Sequence, residues 1–305
     1  MTAKLRDREP GTLEARRIVC EQIAEALAAL KGRRPSDSSI HRARKSIKKA
    51  RAVWRLLRHA LPAATYRHAN ARLRDAGRPL GAARDAKVLL VTLDRVLQAG
   101  AASASMVKAF RRALLQNGKA IKLGVMVEPT AIALSRQALR STYQRIKDYS
   151  IQKRGWSVLG KGMRRVYGRG RRMYHRARSD RRAEHLHEWR KQAKYLHHQF
   201  AVLKPLWRGP IRKLASETGE LSERLGDYHD LAVLRTQVLT HRRAFSSAAQ
   251  QARIVAVIDR ERADLQNIAF MLGARIYEEK PADFCTRFGG YWHEWRHAKN
   301  KTDRT

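Results

Sequence analysis

Acidic side chains are scarce in this chain of 305 residues: 27 Asp+Glu stand against 65 Lys+Arg, leaving a formal net charge of +38. Cysteine is nearly absent. Cys20 and Cys285 lie far apart, which excludes a disulfide framework and a cysteine zinc site. No uninterrupted run of about 20 apolar residues occurs, so no transmembrane helix is expected. Met1 to Arg17 is charged and lacks the apolar stretch of a signal peptide, so a soluble, cytoplasmic protein is expected. Proline is rare, and Pro35, Pro62, Pro129, Pro205, Pro210 and Pro281 fall where helical patterns break. Hydrophobic residues still make up 43% of the chain, enough for a packed core and too many for a disordered basic tail. So high a charge repels itself in the compact state, and the ordinary reason to tolerate it is a polyanionic partner: nucleic acid, an anionic membrane surface or a phosphate polymer.

Apolar residues return every three or four positions almost throughout, and alternating runs are few, so the fold class is all-α. The spacing predicts helices near 11–31, 38–61, 64–98 (kinked around Pro79 and Gly81), 103–122 and 129–150. A second set is predicted near 156–178, 183–204, 209–243, 246–273 and 283–298.

A long-period repeat underlies these helices. HRARKSIKKARAVWRLL around His41 and HEWRKQAKYLHHQFAVL around His187 align at a shift of 146. The shift pairs Arg44 with Arg190, Lys45 with Lys191 and Lys48 with Lys194. LGAARDAKVLL from Leu80 matches LGDYHDLAVLR from Leu225 at a shift of 145, pairing Arg84 with His229 and Asp85 with Asp230. Two motifs in one order at nearly one offset predict two homologous helical bundles, residues 1–152 and 153–305.

On a helical wheel, His41, Arg44, Lys45, Lys48, Arg51, Arg55 and His59 share one arc, opposite Ala43, Ile47, Ala50, Val53, Trp54, Leu57 and Leu61. The second copy sets His187, Arg190, Lys191, Lys194, His197 and His198 against Trp189, Ala193, Leu196, Phe200 and Leu203. A solvated polar face normally mixes signs to gain i,i+4 pairs. Between Ser38 and Ala60 there are eight Lys/Arg and no acid, a pattern that repels itself until an anion arrives. A third basic segment, Lys161 to Arg182, spaces Arg165, Arg169, Arg172 and Arg176 along one helix face. Within it Gly168 and Gly170 allow a backbone or a ligand to approach closely. Arg84 and His229 are assigned to the ligand side, whereas Asp85 and Asp230 either orient those side chains or offset interior charge. Cations one turn from each candidate histidine disfavour a metal ion, and neither a metal nor a cofactor is expected. A histidine among cations loses its proton and keeps it beside bound phosphate, so affinity is expected to rise as pH falls through the histidine range.

The two His-x-x-Arg-Lys-x-x-Lys helices, the paired Leu-Gly-x-x-(Arg/His)-Asp motifs, the GMRRVYGRGR segment at 162–171 and the ending from Glu279 to Trp295 resemble the CHAD family, the conserved histidine α-helical domain, over essentially the whole chain. The resemblance implies two pseudo-symmetric four-helix bundles with basic helices lining a central groove or pore. It also implies binding of inorganic polyphosphate and, in bacteria, association with polyphosphate granules. The family's first-helix basic positions fall on His41, Arg44, Lys48, Lys49 and Arg51, and their counterparts on His187, Arg190, Lys191 and Lys194. His197 stands where the family usually has arginine, and Lys45 where the first copy often has an apolar residue. The Glu-x-Glu-x-Lys of an adjoining triphosphatase is missing.

The expected function is non-catalytic polyphosphate binding through the groove, on granules in the cytoplasm. The alternative is a non-specific RNA- or DNA-binding protein, because electrostatics alone does not separate these polyanions; Trp54, Trp189 and Phe200 fall on the core side, which leaves Tyr195 at the margin of the basic face and Tyr167 in the third segment as the aromatics for stacking on bases. Catalysis is not expected: a phosphate-cradling glycine loop with lysine and a tight acidic cluster are both lacking.

Overall fold

The computed structural model describes residues 4–5, 11–32, 34–98, 107–115, 129–153 and 155–302, with backbone alone at 82–87, 129 and 299–302. Among the described residues there is no strand. In chain order the helices are α1 (Gly11–Ala29), α2 (Asp37–Trp54), α3 (Ala63–Gly77), α4 (Ala82–Gln98), α5 (108–115), α6 (Pro129–Asp148), α7 (Trp156–Ser179), α8 (Ala183–Leu203), α9 (Arg208–Thr240), α10 (Ala248–Ile276) and α11 (Pro281–Thr302).

The punctuation is local. Gly32 turns away from α1 at φ 83°, a conformation that suits glycine. The Ser36 hydroxyl caps α2 by accepting the Ser39 N–H at 3.3 Å. Pro129 and Pro281 open α6 and α11, where a missing N–H costs nothing. The expected kink near Pro79 is a full break between α3 and α4, since proline removes a helix hydrogen bond and crowds the preceding turn. In the second copy Arg224 takes the place of Pro79, and α9 runs unbroken through the same register for 33 residues.

One expectation shifts. The 38–61 helix stays α-helical only to Trp54 and tightens into a 3-10 turn over Arg55–His59. Leu56 and Leu57 are both buried there, and α7 packs directly on the turn. The arc that starts at His41 therefore does not extend regularly to Arg55 and His59.

The wheel assignments hold inside the core. Ala43, Ile47, Ala50, Val53, Trp54 and Leu57 are buried, as are Trp189, Ala193, Leu196, Phe200 and Leu203. In the first half α1 packs on α2 and α6, and α3 on α6; in the second α7 packs on α8, α8 on α9 and α9 on α10. The apolar interior is not divided near residue 152. Leu93, Val96, Phe110 and Leu114 from the first half join Leu231, Leu234, Ile254 and Ile258 from the second in one cluster. α2 also packs against α8, and the buried Gln199 side chain donates to the Ala52 carbonyl at 3.0 Å. That crossing brings two basic helices together.

Candidate functional site

Where α2 meets α8, the basic faces border a cleft of about 260 Å³. α2 supplies His41, Arg44, Lys45 and Lys48, and α8 supplies Lys194, His197 and His198. α9 closes the third side with Gly219, Ser222 and Glu223. Four Lys/Arg side chains thus face a single carboxylate, and Coulomb repulsion among them is relieved best by an anion.

Two of the cleft histidines, His197 and His198, are shifted toward the neutral form. His197 Nδ1 donates to the Ala215 carbonyl at 2.8 Å, which fixes its tautomer. Burial pushes its pKa down, against that hydrogen bond. His198 is driven well below the ordinary histidine range, first by burial and then by His197 and the charges of Lys194, Lys49 and Lys45. Its Nε2 is buried without a hydrogen-bond partner, although the side chain lines the cleft. An unsatisfied buried nitrogen costs about 1–3 kcal/mol, and a ligand oxygen would satisfy it once the ring takes up a proton. The wheel set His197 and His198 on an open cationic face. The structure corrects this: His198 is only 7% exposed, on the side of α8 where Lys45 and Lys49 of α2 lie.

His41 and Arg44 also border an adjoining cavity of about 490 Å³ with Ile40, Val88 and Val91 on its apolar side and Asp37, Asp227 and Asp230 as its acids. Asp230 therefore stands beside the first-copy basic residues rather than far from them. Asp227 is bound to Arg95 at 3.2 Å. Arg84 and Asp85 lie on α4, and only their backbone is described.

The Leu-Gly motifs acquire a steric role. The Arg44 guanidinium donates to the Gly77 carbonyl at 3.3 Å, and a Cβ on Gly81 would sit 3.1 Å from Arg44 Nη1. In the second copy a Cβ on Gly226 would sit 3.5 Å from Arg190 Nε. In both halves an arginine of the basic helix lies against the glycine of the later motif.

The family model of the CHAD domain matches residues 17–239, well over half of the chain. The chain belongs to the CHAD family. Among solved structures, the crystal structure of the CHAD domain from the plant Ricinus communis is similar with a TM-score of 0.58 at 16% identity, covering 95% of each chain, which shows the shared fold. No curated protein matches the chain in sequence.

Within this CHAD domain none of the remaining predicted residues with described side chains lines the cleft. Arg55 stacks over the Tyr195 ring at 3.7 Å and donates to the Asn70 side chain at 3.2 Å. Beside it Arg51 is half-buried, and burial lowers its pKa. Lys49 lies close enough to His198 to depress its protonation. His187 packs against His229 with tilted rings 5.0 Å apart between centroids, and burial, then Lys191 and His229, push its pKa down.

Arg165, Arg169 and Arg172 do not line the cleft. They sit on α7, where the Arg58 charge lowers the Arg165 pKa. Arg169 and Lys191 both reach Glu188, at 3.2 and 2.6 Å. Glu188 neutralises Lys191 one turn along its own helix, and its pairing with Arg169 depends on α7 lying beside α8. Gly168 and Gly170 do admit close neighbours, but these are the Pro281 and Tyr277 rings of the protein itself. His198 and, from α9, Gly219, Ser222 and Glu223 line the cleft without having been singled out as site residues from the sequence. For His198 alone there was a signal, its place beside His197 on the basic arc.

Proposed function

We propose that this CHAD protein binds inorganic polyphosphate, without turning it over, in the cleft between α2 and α8. The observation that carries the reading is the meeting of Arg44, Lys45 and Lys48 with Lys194 around an opening that holds one acid, Glu223. Arginine bridges neighbouring phosphate oxygens with directed hydrogen bonds, whereas lysine acts as a mobile point charge. Many modest contacts act on one polymer, and counterion release makes affinity fall steeply with salt. Cytoplasmic polyphosphate granules are the setting this reading implies.

Nucleic acid is the competing polyanion. The aromatics that would stack on bases are engaged elsewhere: Arg55 covers Tyr195, and Tyr167 is fully buried with its ring stacked 3.8 Å from Phe284. This favours a ligand that presents phosphates alone. The test is competition between polyphosphate and single-stranded RNA at equal phosphate content, with orthophosphate as a third competitor. Polyphosphate is expected to displace RNA, and orthophosphate to displace neither. Equal competition by all three would overturn the groove reading.

A further inference from the structure

A second cationic cleft, of about 530 Å³, lies at the corner where α8 gives way to α9. It is lined by Lys4, Lys204, Pro205, Arg208 and Arg212, and none of these is an acid. Lys4 is held there by the chain before α1. Leu5 is buried and donates its N–H to the Val202 carbonyl at 3.2 Å, while Arg17 donates to the Lys4 carbonyl at 3.1 Å. Three segments thus place four cations around one opening, and among the described residues none of the four side chains reaches a carboxylate. Elsewhere the excess charge is partly offset, as where Glu188 holds Arg169 and Lys191 or Asp259 holds Arg235 and Arg262.

The corner continues the α8 stripe. Lys204 follows His197 by seven residues, two helical turns, so both point to nearly the same side. The Lys204 charge reaches His197 and helps depress its protonation. From Lys194 to Lys204 is about 15 Å along the helix at 1.5 Å per residue. Arg208 and Arg212 then extend the positive track one turn apart on α9, both exposed.

We propose that the Lys4–Lys204–Arg208–Arg212 corner is a second polyphosphate-binding segment, engaged by chains long enough to leave the α2–α8 cleft along the end of α8. The proposal rests on the reading of that cleft as a polyphosphate site. It makes chain-length preference a consequence of two cationic stations on one path, since the second engagement becomes intramolecular once the first has formed.

The experiment compares Arg208→Ala/Arg212→Ala and Lys48→Gln/Lys194→Gln with the wild type, using short polyphosphate that spans only the central cleft and long-chain polyphosphate. The corner variant is expected to keep short-chain affinity, lose about five- to tenfold in long-chain affinity, and flatten the long-chain salt dependence by about 1.4 in slope, for two phosphates no longer neutralised. The cleft variant is expected to weaken both ligands. A corner variant that matches the wild type on long chains, or weakens short and long chains equally, overturns the second segment while leaving the cleft in place. A wild type that binds neither ligand overturns the cleft reading itself. Both arginines are exposed, so an unchanged melting temperature confirms that the variant is folded.

Discussion

Replacing Lys48 and Lys194 by glutamine removes two of the four Lys/Arg charges at the α2–α8 cleft and keeps the first two methylenes of each stem. A hydrogen bond to a charged group contributes about 1.5 kcal/mol at the lower end of its range, and 1.4 kcal/mol is a tenfold change in affinity. Two such bonds give roughly a hundredfold, which half-burial of both lysines and solvent screening reduce to about ten- to hundredfold. The slope of log affinity against log salt should flatten by about 1.4, at roughly 0.7 for each phosphate of a flexible strand that the protein no longer neutralises. Stability should move the other way or stay put, because the net charge falls from +38 to +36 and like charges are separated. Fluorescence titration with labelled polyphosphate at several salt concentrations measures the first effect, and thermal melting the second. An affinity loss that is equal at every salt concentration, or one accompanied by a fall in melting temperature of several degrees, would refute the electrostatic reasoning.

Three further outcomes follow from particular side chains. Glu188→Gln should tighten polyphosphate binding about two- to fivefold, because it frees Lys191 and Arg169 from surface pairs worth roughly 0.2–1 kcal/mol each; weaker binding in a titration would contradict this. His187, His197 and His198 all have pKa values lowered in the fold, burial being the first cause. The unfolded chain therefore binds more protons, so ligand-free stability is full above about pH 6.5 and is lost as pH falls toward the depressed values. Bound phosphate raises those pKa values, so affinity should increase over the same acidic window; melts and titrations at about pH 7.5 and 5.5 should diverge in this way, and His198→Phe should reduce the divergence. Gly162→Ala should destabilise by about 3 kcal/mol or more, since its Cβ would lie 2.5 Å from the Leu56 carbonyl oxygen, while Gly290→Ala, in an open helical position, should stabilise by about 0.5–1 kcal/mol; chemical denaturation distinguishes the pair.

Much of the site was legible because helical periodicity alone assigns faces. The apolar residues of α2 and α8 are buried as the wheel requires, and the offset between motifs anticipates that α3 with α4 and α9 occupy matching registers. What was missed depended on neighbours. The arc through His197 and His198 looks solvent-facing on a lone helix, yet α2 and α9 flank it and His198 Nε2 is buried without a partner. Arg55 reads as one more cation, but the tightened turn under α7 lays it across Tyr195.

By itself the sequence determined the sign of the surface, the helical class and the side of each basic helix that turns inward, because charge, propensity and period are properties of consecutive residues. Tertiary structure alone decided which cations share an opening and which are neutralised. Lys48 and Lys194 lie 146 positions apart and meet through the crossing of α2 and α8, whereas Arg169 on α7 is held by Glu188 on α8. Coulomb energy depends on separation in space, and only the packed helices set that.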